Sequence, residues 1–241
     1  MENNIKSGTL ASWVESSIIK DIRDNELKSG AEIQNELELA KKYDVGRNVI
    51  REALSSLRML GIIESRKRRG MVVSEPNVIR GFQKVINPHI LSRETILNLL
   101  GMRVSLEIGN ARIVINNVTD EDIIELKQIV AKESKIKSPK VDIEMEREFH
   151  SKIYAISTNK VMLDFMNLII PVFKFVNENF SDFDRFNKIT MERGRIVRHK
   201  DLIPYLEARD VEGYQKAMED HLGAYVDYIN QSNKKSKTQK K

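Results

Sequence analysis

Three of the four histidines in this 241-residue sequence, together with one glutamate, have the types and spacing that could do chemistry. Glu146 and His150 are four apart on one predicted helix, which puts both side chains on the same face. His199 and His221 fall on the fifth and sixth predicted helices of the same region. Three neutral imidazoles and a carboxylate drawn from three helices make a donor set for a divalent metal ion, with zinc first and nickel or manganese as alternatives. By spacing alone, each histidine can equally be an ordinary surface or core residue. A bound cation with open positions attracts carboxylates, and a guanidinium matches a carboxylate bidentately. Arg103, Arg195 and Arg198 are the candidates for that pairing; Arg195 lies four residues before His199 and shares its face.

A second set of side chains suits nucleic acid. In residues 34–74 a short helical run (36–43) precedes the turn Asp44-Val45-Gly46, and a second run carries 47–60 to a stop at Gly61. Ile50, Leu54 and Leu57 form an apolar stripe on the second run. Arg47 and Arg51, with Asn48 beside them, share another face. One face packs on a partner helix while the other offers donors to the major groove, the build of a helix-turn-helix. Arginine suits guanine O6/N7 and asparagine suits adenine N6/N7. Two short apolar-rich runs then flank Lys67-Arg68-Arg69-Gly70, a hairpin with a basic tip that fits the wing of a winged helix. Between Val45 and Gly70 seven basic residues face two acidic ones, a local balance of +5. The alternative is a solvated amphipathic helix beside an ordinary charged hairpin; the order and spacing of the features favour DNA.

Those two sets must be positioned by two domains, for which the length is sufficient. The overall charge of +5 is matched by five lysines near the C-terminus (Lys234, Lys235, Lys237, Lys240 and Lys241), so the local patch, not the global balance, argues for DNA. The sequence has no cysteine, which excludes disulfides and thiolate metal sites. No apolar run approaches the ~20 residues that span a bilayer, and no signal peptide is visible, so a cytoplasmic protein without a membrane partner is expected. Leu10, Val14, Ile18 and Ile22 repeat every four residues and predict an amphipathic first helix with Trp13 as a core anchor. Pro76, Asn77 and Pro88 mark a linker. Beyond it nearly everything scans as helix, over about 94–115, 120–136, 141–156, 161–176, 186–207 and 211–230. Thr119 with Asp122 predicts a capping box and Asp210 an N-cap. Pro171 and Pro204 are expected to kink or divide their helices. The expected fold is mainly α: a winged helix-turn-helix with a small β-hairpin wing over 1–75, a linker over 76–92, an antiparallel helical bundle over 93–231 and a disordered basic tail over 232–241.

The segments Glu36-Leu37-Glu38-Leu39-Ala40, Gly46-Arg47-Asn48-Val49-Ile50-Arg51-Glu52-Ala53-Leu54 and Arg69-Gly70-Met71-Val72-Val73 resemble the N-terminal domain of GntR-family transcription regulators. Leu37 stands where the family has a DNA-contacting arginine, and Gly46, Asn48 and Val49 replace its usual Ser, Thr and Pro. The resemblance implies DNA contacts by Arg47, Arg51 and the wing near Gly70. The C-terminal half is similar to the FCD-type ligand domain of the FadR subgroup. Arg103-Val104-Ser105-Leu106-Glu107 looks like its R-x-x-L-E helix, and Glu146-Arg147-Glu148-Phe149-His150 like its D-x-x-F-H, with Asn159 after it as a helix-end residue. Arg198-His199 and His221-Leu222 resemble its later E-H and H-L pairs. This likeness implies metal ligation by His150, His199 and His221, with Glu146 in the place of an aspartate, and a small organic-acid or sugar-acid effector.

The function expected from these features is a dimeric DNA-binding transcription regulator, a repressor and not an enzyme, on a palindromic operator in double-stranded DNA. Its operator affinity would be set by a carboxylate-bearing effector. Arg47, Asn48, Arg51, Arg68, Arg69 and Gly70 are its DNA-facing residues, Arg103 and Arg195 its effector contacts. Two rivals are a metal-dependent hydrolase, for which no accompanying nucleophile or acid/base motif is found, and a winged helix that binds protein instead of DNA.

Overall fold

A computed structural model of the chain describes residues 8–79, 81–82, 85–135, 142–180, 182–183 and 197–238. The chain divides into two compact units, Met1–Lys84 and Val85–Lys241, with the division inside the stretch read as a linker.

The first unit is three helices and a hairpin: α1 (Leu10–Asp24), α2 (Glu36–Tyr43), α3 (Arg47–Met59), β1 (Ile63–Arg66) and β2 (Gly70–Val73). Thr9 caps α1, accepting from the Ser12 amide, and Asn35 and Glu38 close a capping box on α2. Asp44 turns the chain in the left-handed region (φ 53°) between α2 and α3. Val14 and Ile18 of α1, Leu39 of α2, Ile50, Ala53, Leu54 and Leu57 of α3 and Ile63 of β1 form one buried cluster. The hairpin is antiparallel, with Ile63 opposite Val73 and Arg66 opposite Gly70. Glu32 bridges to Val72 on the other edge of β2, so the hairpin base is paired on both sides. Trp13 does not anchor this core. The buried stripe of α1 centres on Ala11, Val14 and Ile18, which turns Trp13 outward, 41 % exposed and edge-on to Tyr43.

The described part of the second unit is helical: α4 (Arg93–Gly109), α5 (Ala111–Asn117), α6 (Asp120–Glu133), α7 (Ile143–Ile156), α8 (Lys160–Asn179), α9 (His199–Glu207), α10 (Val211–His221) and α11 (Gly223–Thr238). Side-chain oxygens of Ser92, Thr119, Asp142, Asn159 and Asp210 cap α4, α6, α7, α8 and α10, each accepting from a first-turn amide. The pattern expected as one helix over 94–115 is broken at Asn110, and that over 211–230 at Leu222. The final helix runs on to Thr238, into the stretch read as a disordered tail. Neither Pro171 nor Pro204 divides its helix. α4 packs against α8, α10 and α11, while α6 packs against α7 and α9. No described helix is long and apolar enough to cross a membrane.

The start of α10 is built around Gly213. Its amide donates to the Asp210 cap at 2.9 Å, and a Cβ at this position would lie 2.2 Å from Asp210 Oδ2 and 2.5 Å from Tyr205 Cδ1. Gly213→Ala is therefore expected to destabilise the second unit by about 1–3 kcal/mol, the usual penalty for overpacking. Urea unfolding of both proteins checks this, and an unchanged midpoint would contradict the crowding at the cap.

Candidate functional site

The helices bring Glu146, His150, His199 and His221 to one point. Glu146 and His150 project from α7, His199 is the first residue of α9, and His221 is the last of α10. His150 Nε2 lies 3.3 Å from Nε2 of both His199 and His221. The Glu146 carboxylate is 3.4 Å from His150 Nε2 and 3.3 Å from His199 Nε2. Ligand atoms of all four residues fall within 4.8 Å of one another. Donors about 2.0–2.1 Å from a tetrahedral zinc are separated by roughly 3.3–3.4 Å. The donor types and spacings are consistent with a metal site.

What lies behind each ring fixes which nitrogen faces inward. His221 Nδ1–H donates to the Val197 carbonyl at 2.8 Å, and His199 Nδ1 meets the Glu133 carboxylate at 3.0 Å. His150 Nδ1 sits 2.7 Å from Glu107 Oε2, a close contact rather than an aligned hydrogen bond. The Val197 carbonyl and the Glu133 carboxylate hold protons on Nδ1 of His221 and His199, and Glu107 lies beside Nδ1 of His150, so the three Nε2 atoms face the shared centre, as metal-ligating histidines require. Arg103 braces the carboxylates. Its Nε donates to Glu107 Oε1 at 2.6 Å and its Nη2 to Glu146 Oε2 at 3.3 Å, with the guanidinium 4.6 Å over the Phe173 ring.

The proton inventory follows from these charges. Burial pushes the Glu107 carboxyl up, but Arg103 and then His150 outweigh it and hold it at about 2. Burial also opposes ionisation of Glu146, yet the charge of His199 and a bond from His150 keep it well below the ordinary range. His199 is pulled the other way: burial lowers it, while Glu146 and Glu133 raise it to about 9. His221 falls to about 3 through burial and repulsion by His199. With no ion bound, the cluster thus carries a proton on His199 at neutral pH, while His221 is a neutral donor.

The other expected positions divide. Arg103 is inside the site, 2 % exposed. Arg198 is exposed, its amide donating to Asp201 Oδ2 at the start of α9. Arg195 lies outside the described residues. Asn159 caps α8, as a helix-end residue should. Glu107 and Glu133 had no assigned role in the sequence reading. Glu107 shows a signal, four residues after Arg103 on the same face, whereas Glu133 is 66 residues from its partner His199 and gives none. A surface pocket of 460 Å³ between α6 and α7 shares no residue with this cluster.

In the first unit Arg47, Asn48 and Arg51 are exposed on α3. Arg51 Nε donates to Glu36 Oε2 of α2 at 2.9 Å, and that bond holds the Glu36 carboxyl below its ordinary range. On the hairpin Arg68 and Gly70 take left-handed conformations, φ 68° and 72°. Arg69 reaches back from the wing, donating to the Gly30 carbonyl at 3.2 Å and lying 3.5 Å from Glu32.

A winged helix followed by a helical unit around a buried carboxylate–histidine cluster is the architecture of a two-part transcription regulator. The chain belongs to the gntR family of bacterial regulatory proteins, in the FadR subgroup: the family profile matches residues 10–73, and that of the FCD domain matches residues 98–224. It is 23 % identical to the HTH-type transcriptional regulator LutR of Bacillus subtilis over 86 % of this chain and 95 % of that one. It is 24 % identical to the Glc operon transcriptional activator of Escherichia coli K12 over 87 % of each. With the HTH-type transcriptional repressor NanR of Citrobacter rodentium it shares 22 % identity over 89 % of this chain and 83 % of that one. Among solved structures, Streptococcus agalactiae GntR superposes with a TM-score of 0.51 at 23 % identity, covering 89 % of this chain and 97 % of that one. These relatives are transcription regulators, not enzymes.

Metal uptake must displace the His199 proton. The sign is set by a raised pKa: the proton is held below about 9 and absent above it. Apparent zinc affinity is expected to rise about tenfold per pH unit from pH 7 towards 9 and then flatten, with about one proton released per ion. Calorimetry in buffers of different ionisation enthalpy measures that release. Zinc binding without proton release at pH 7 would contradict the charged His199.

Proposed function

We propose that the chain is a repressor that binds a palindromic operator as a homodimer and that responds to a small carboxylate-bearing effector held beside a divalent ion, zinc first, in the helical unit. Glu146, His150, His199 and His221 would hold the ion, whose charge draws the carboxylate. Arg103 would take one carboxylate oxygen. Its Nη1 carries this reading: it is buried and has no hydrogen-bond partner among the described residues, although the Nη2 of the same guanidinium bonds the cluster's own Glu146. A buried, unsatisfied charged donor beside a cation site suits an anionic ligand atom. Arg195 remains a proposed second contact.

On the DNA side, Arg47, Asn48 and Arg51 would read base edges while Arg68, Arg69 and the Gly70 backbone meet the phosphates. A two-fold dimer would set two α3 helices about one turn apart on the duplex. Glu36 would release Arg51, and Glu32 would release Arg69, as DNA replaces each carboxylate. Among the relatives named above are both an activator and a repressor. A reporter behind the operator distinguishes these senses: loss of the protein raises transcription under a repressor and lowers it under an activator.

Two outcomes test the reading. Arg51→Ala should weaken binding to a library-selected operator by ~1–3 kcal/mol and reduce discrimination against single base changes. Equal weakening on random duplex, by fluorescence anisotropy, would make Arg51 a phosphate contact instead. Arg103→Lys keeps a charge but loses the planar fork. In zinc-loaded protein it should weaken binding of short hydroxy acids and sugar acids at least tenfold while zinc stays bound. Unchanged binding by calorimetry would take the carboxylate away from Arg103.

A further inference from the structure

One helical turn or two from the histidine cluster, the same helices carry a second set of buried polar side chains. On α4, Asn110 follows Glu107 by three residues; on α7, Tyr154 follows His150 by four; on α10, Tyr214 precedes His221 by seven. Each interval returns to the same helix face, and Asn110 continues the α4 spiral with helical φ and ψ. α10 packs on α4 and α5, and α5 packs on α7, so the helices that carry these side chains are neighbours, and the charge of Glu107 reaches both phenols. Asn110, Tyr154 and Tyr214 are 3 %, 1 % and 0 % exposed. Neither amide atom of Asn110 and neither phenol oxygen has a hydrogen-bond partner among the described residues. Buried polar groups are nearly always satisfied, so four such atoms on neighbouring helices point to a polar occupant.

Glu107 links the two phenols to the cluster, acting on both and touching His150. One of its oxygens receives Arg103 Nε and the other lies against His150 Nδ1 without aligned hydrogen-bond geometry. Each carboxylate oxygen can accept a second bond. Burial pushes both phenols up, and the charge of Glu107 adds to the rise in each, so the phenols stay protonated and able to donate. Asn110, Tyr154 and Tyr214 bring no formal charge of their own, and Arg103 already balances Glu107. A neutral molecule that both donates and accepts therefore fits where an ion does not, and water makes about three such bonds.

We propose that Asn110, Tyr154 and Tyr214 are positioning residues of the metal centre: through water held among them they steady the Glu107 carboxylate, which in turn fixes the His150 ring. Without that support the carboxylate is free to swing towards Arg103 and the ring turns with it. The inference rests on the metal reading above and extends it to a shell two groups away from the ion.

The test uses the full chain and zinc alone, with affinity from competition against a chromophoric chelator and cobalt(II) as a spectroscopic probe of ligand geometry. Tyr214→Phe keeps the ring and removes only the hydroxyl. It should leave the melting temperature of the zinc-free protein within a few degrees of wild type, weaken zinc about tenfold and shift the visible cobalt(II) bands. In a Glu107→Gln background the same change should add no further loss, because its route runs through Glu107. Zinc affinity within twofold of wild type with an unmoved cobalt(II) spectrum overturns the proposal, as does a full additive loss in the Glu107→Gln background. Should Tyr214→Phe fail to fold, Tyr154→Phe is judged by the same criteria. A wild-type protein that takes up neither zinc nor nickel nor manganese is a different failure, visible in the first titrations; it removes the metal reading and this inference with it.

Discussion

Lone pairs that face one another across 3.3 Å in a protein core repel unless a positive charge lies between them. His150 meets both His199 and His221 in this way, with the Glu146 carboxylate alongside. Val197 and Glu133 hold the His221 and His199 rings by their outer nitrogens and Glu107 lies against that of His150, so no rotation relieves the arrangement cheaply. When no ion is bound, Glu146 and Glu133 raise His199 to about 9 against its burial, and burial together with the charge then held on His199 drops His221 to about 3. The two shifts run in opposite directions within one coupled cluster. A divalent cation is the natural replacement for the His199 proton. Arg103 belongs to the same balance, because two buried carboxylates would otherwise lie beside the cluster with one proton between them.

The surface proposed to face DNA follows a gentler version of the same rule. Arg51 and Arg69, two of the arginines expected to meet DNA, are tied to Glu36 and Glu32 on exposed surface. Exposed pairs of this kind contribute little stability, so exchanging the carboxylate for a base edge or a phosphate is not costly. They hold the side chains near the face proposed to meet DNA. The buried cluster is built to keep its partners and the exposed face to trade them.

Much of this was legible in the sequence, and the reasons differ by element. The 3.6-residue stripe on α3, the capping residues Thr119, Asn159 and Asp210, and the pairing of Glu146 with His150 are local patterns that a linear reading captures. Asn110 and Leu222 escaped because the apolar periodicity runs across each break. The helix through Thr238 escaped because a lysine-rich stretch without glycine or proline carries no stop, and its charge suggested a tail. Trp13 misled because its size argued for burial while the stripe phase placed it outside. Glu133, Asn110, Tyr154 and Tyr214 acquire meaning only when helices distant in sequence are side by side, and no spacing rule joins residues 133 and 199. The resemblance to a known family supplied the grouping of His150, His199 and His221 that spacing alone left open.

A divalent cation held by Glu146, His150, His199 and His221 is the central proposal, and native mass spectrometry of the purified protein weighs it directly. With zinc supplied and excess removed by buffer exchange, each polypeptide should carry one ion. Chelation under native conditions should remove that ion and leave the folded charge-state distribution in place. A protein that shows the bare polypeptide mass before and after exposure to zinc, nickel and manganese would contradict the account, and the three imidazoles would then be polar residues of a pocket that holds only a proton.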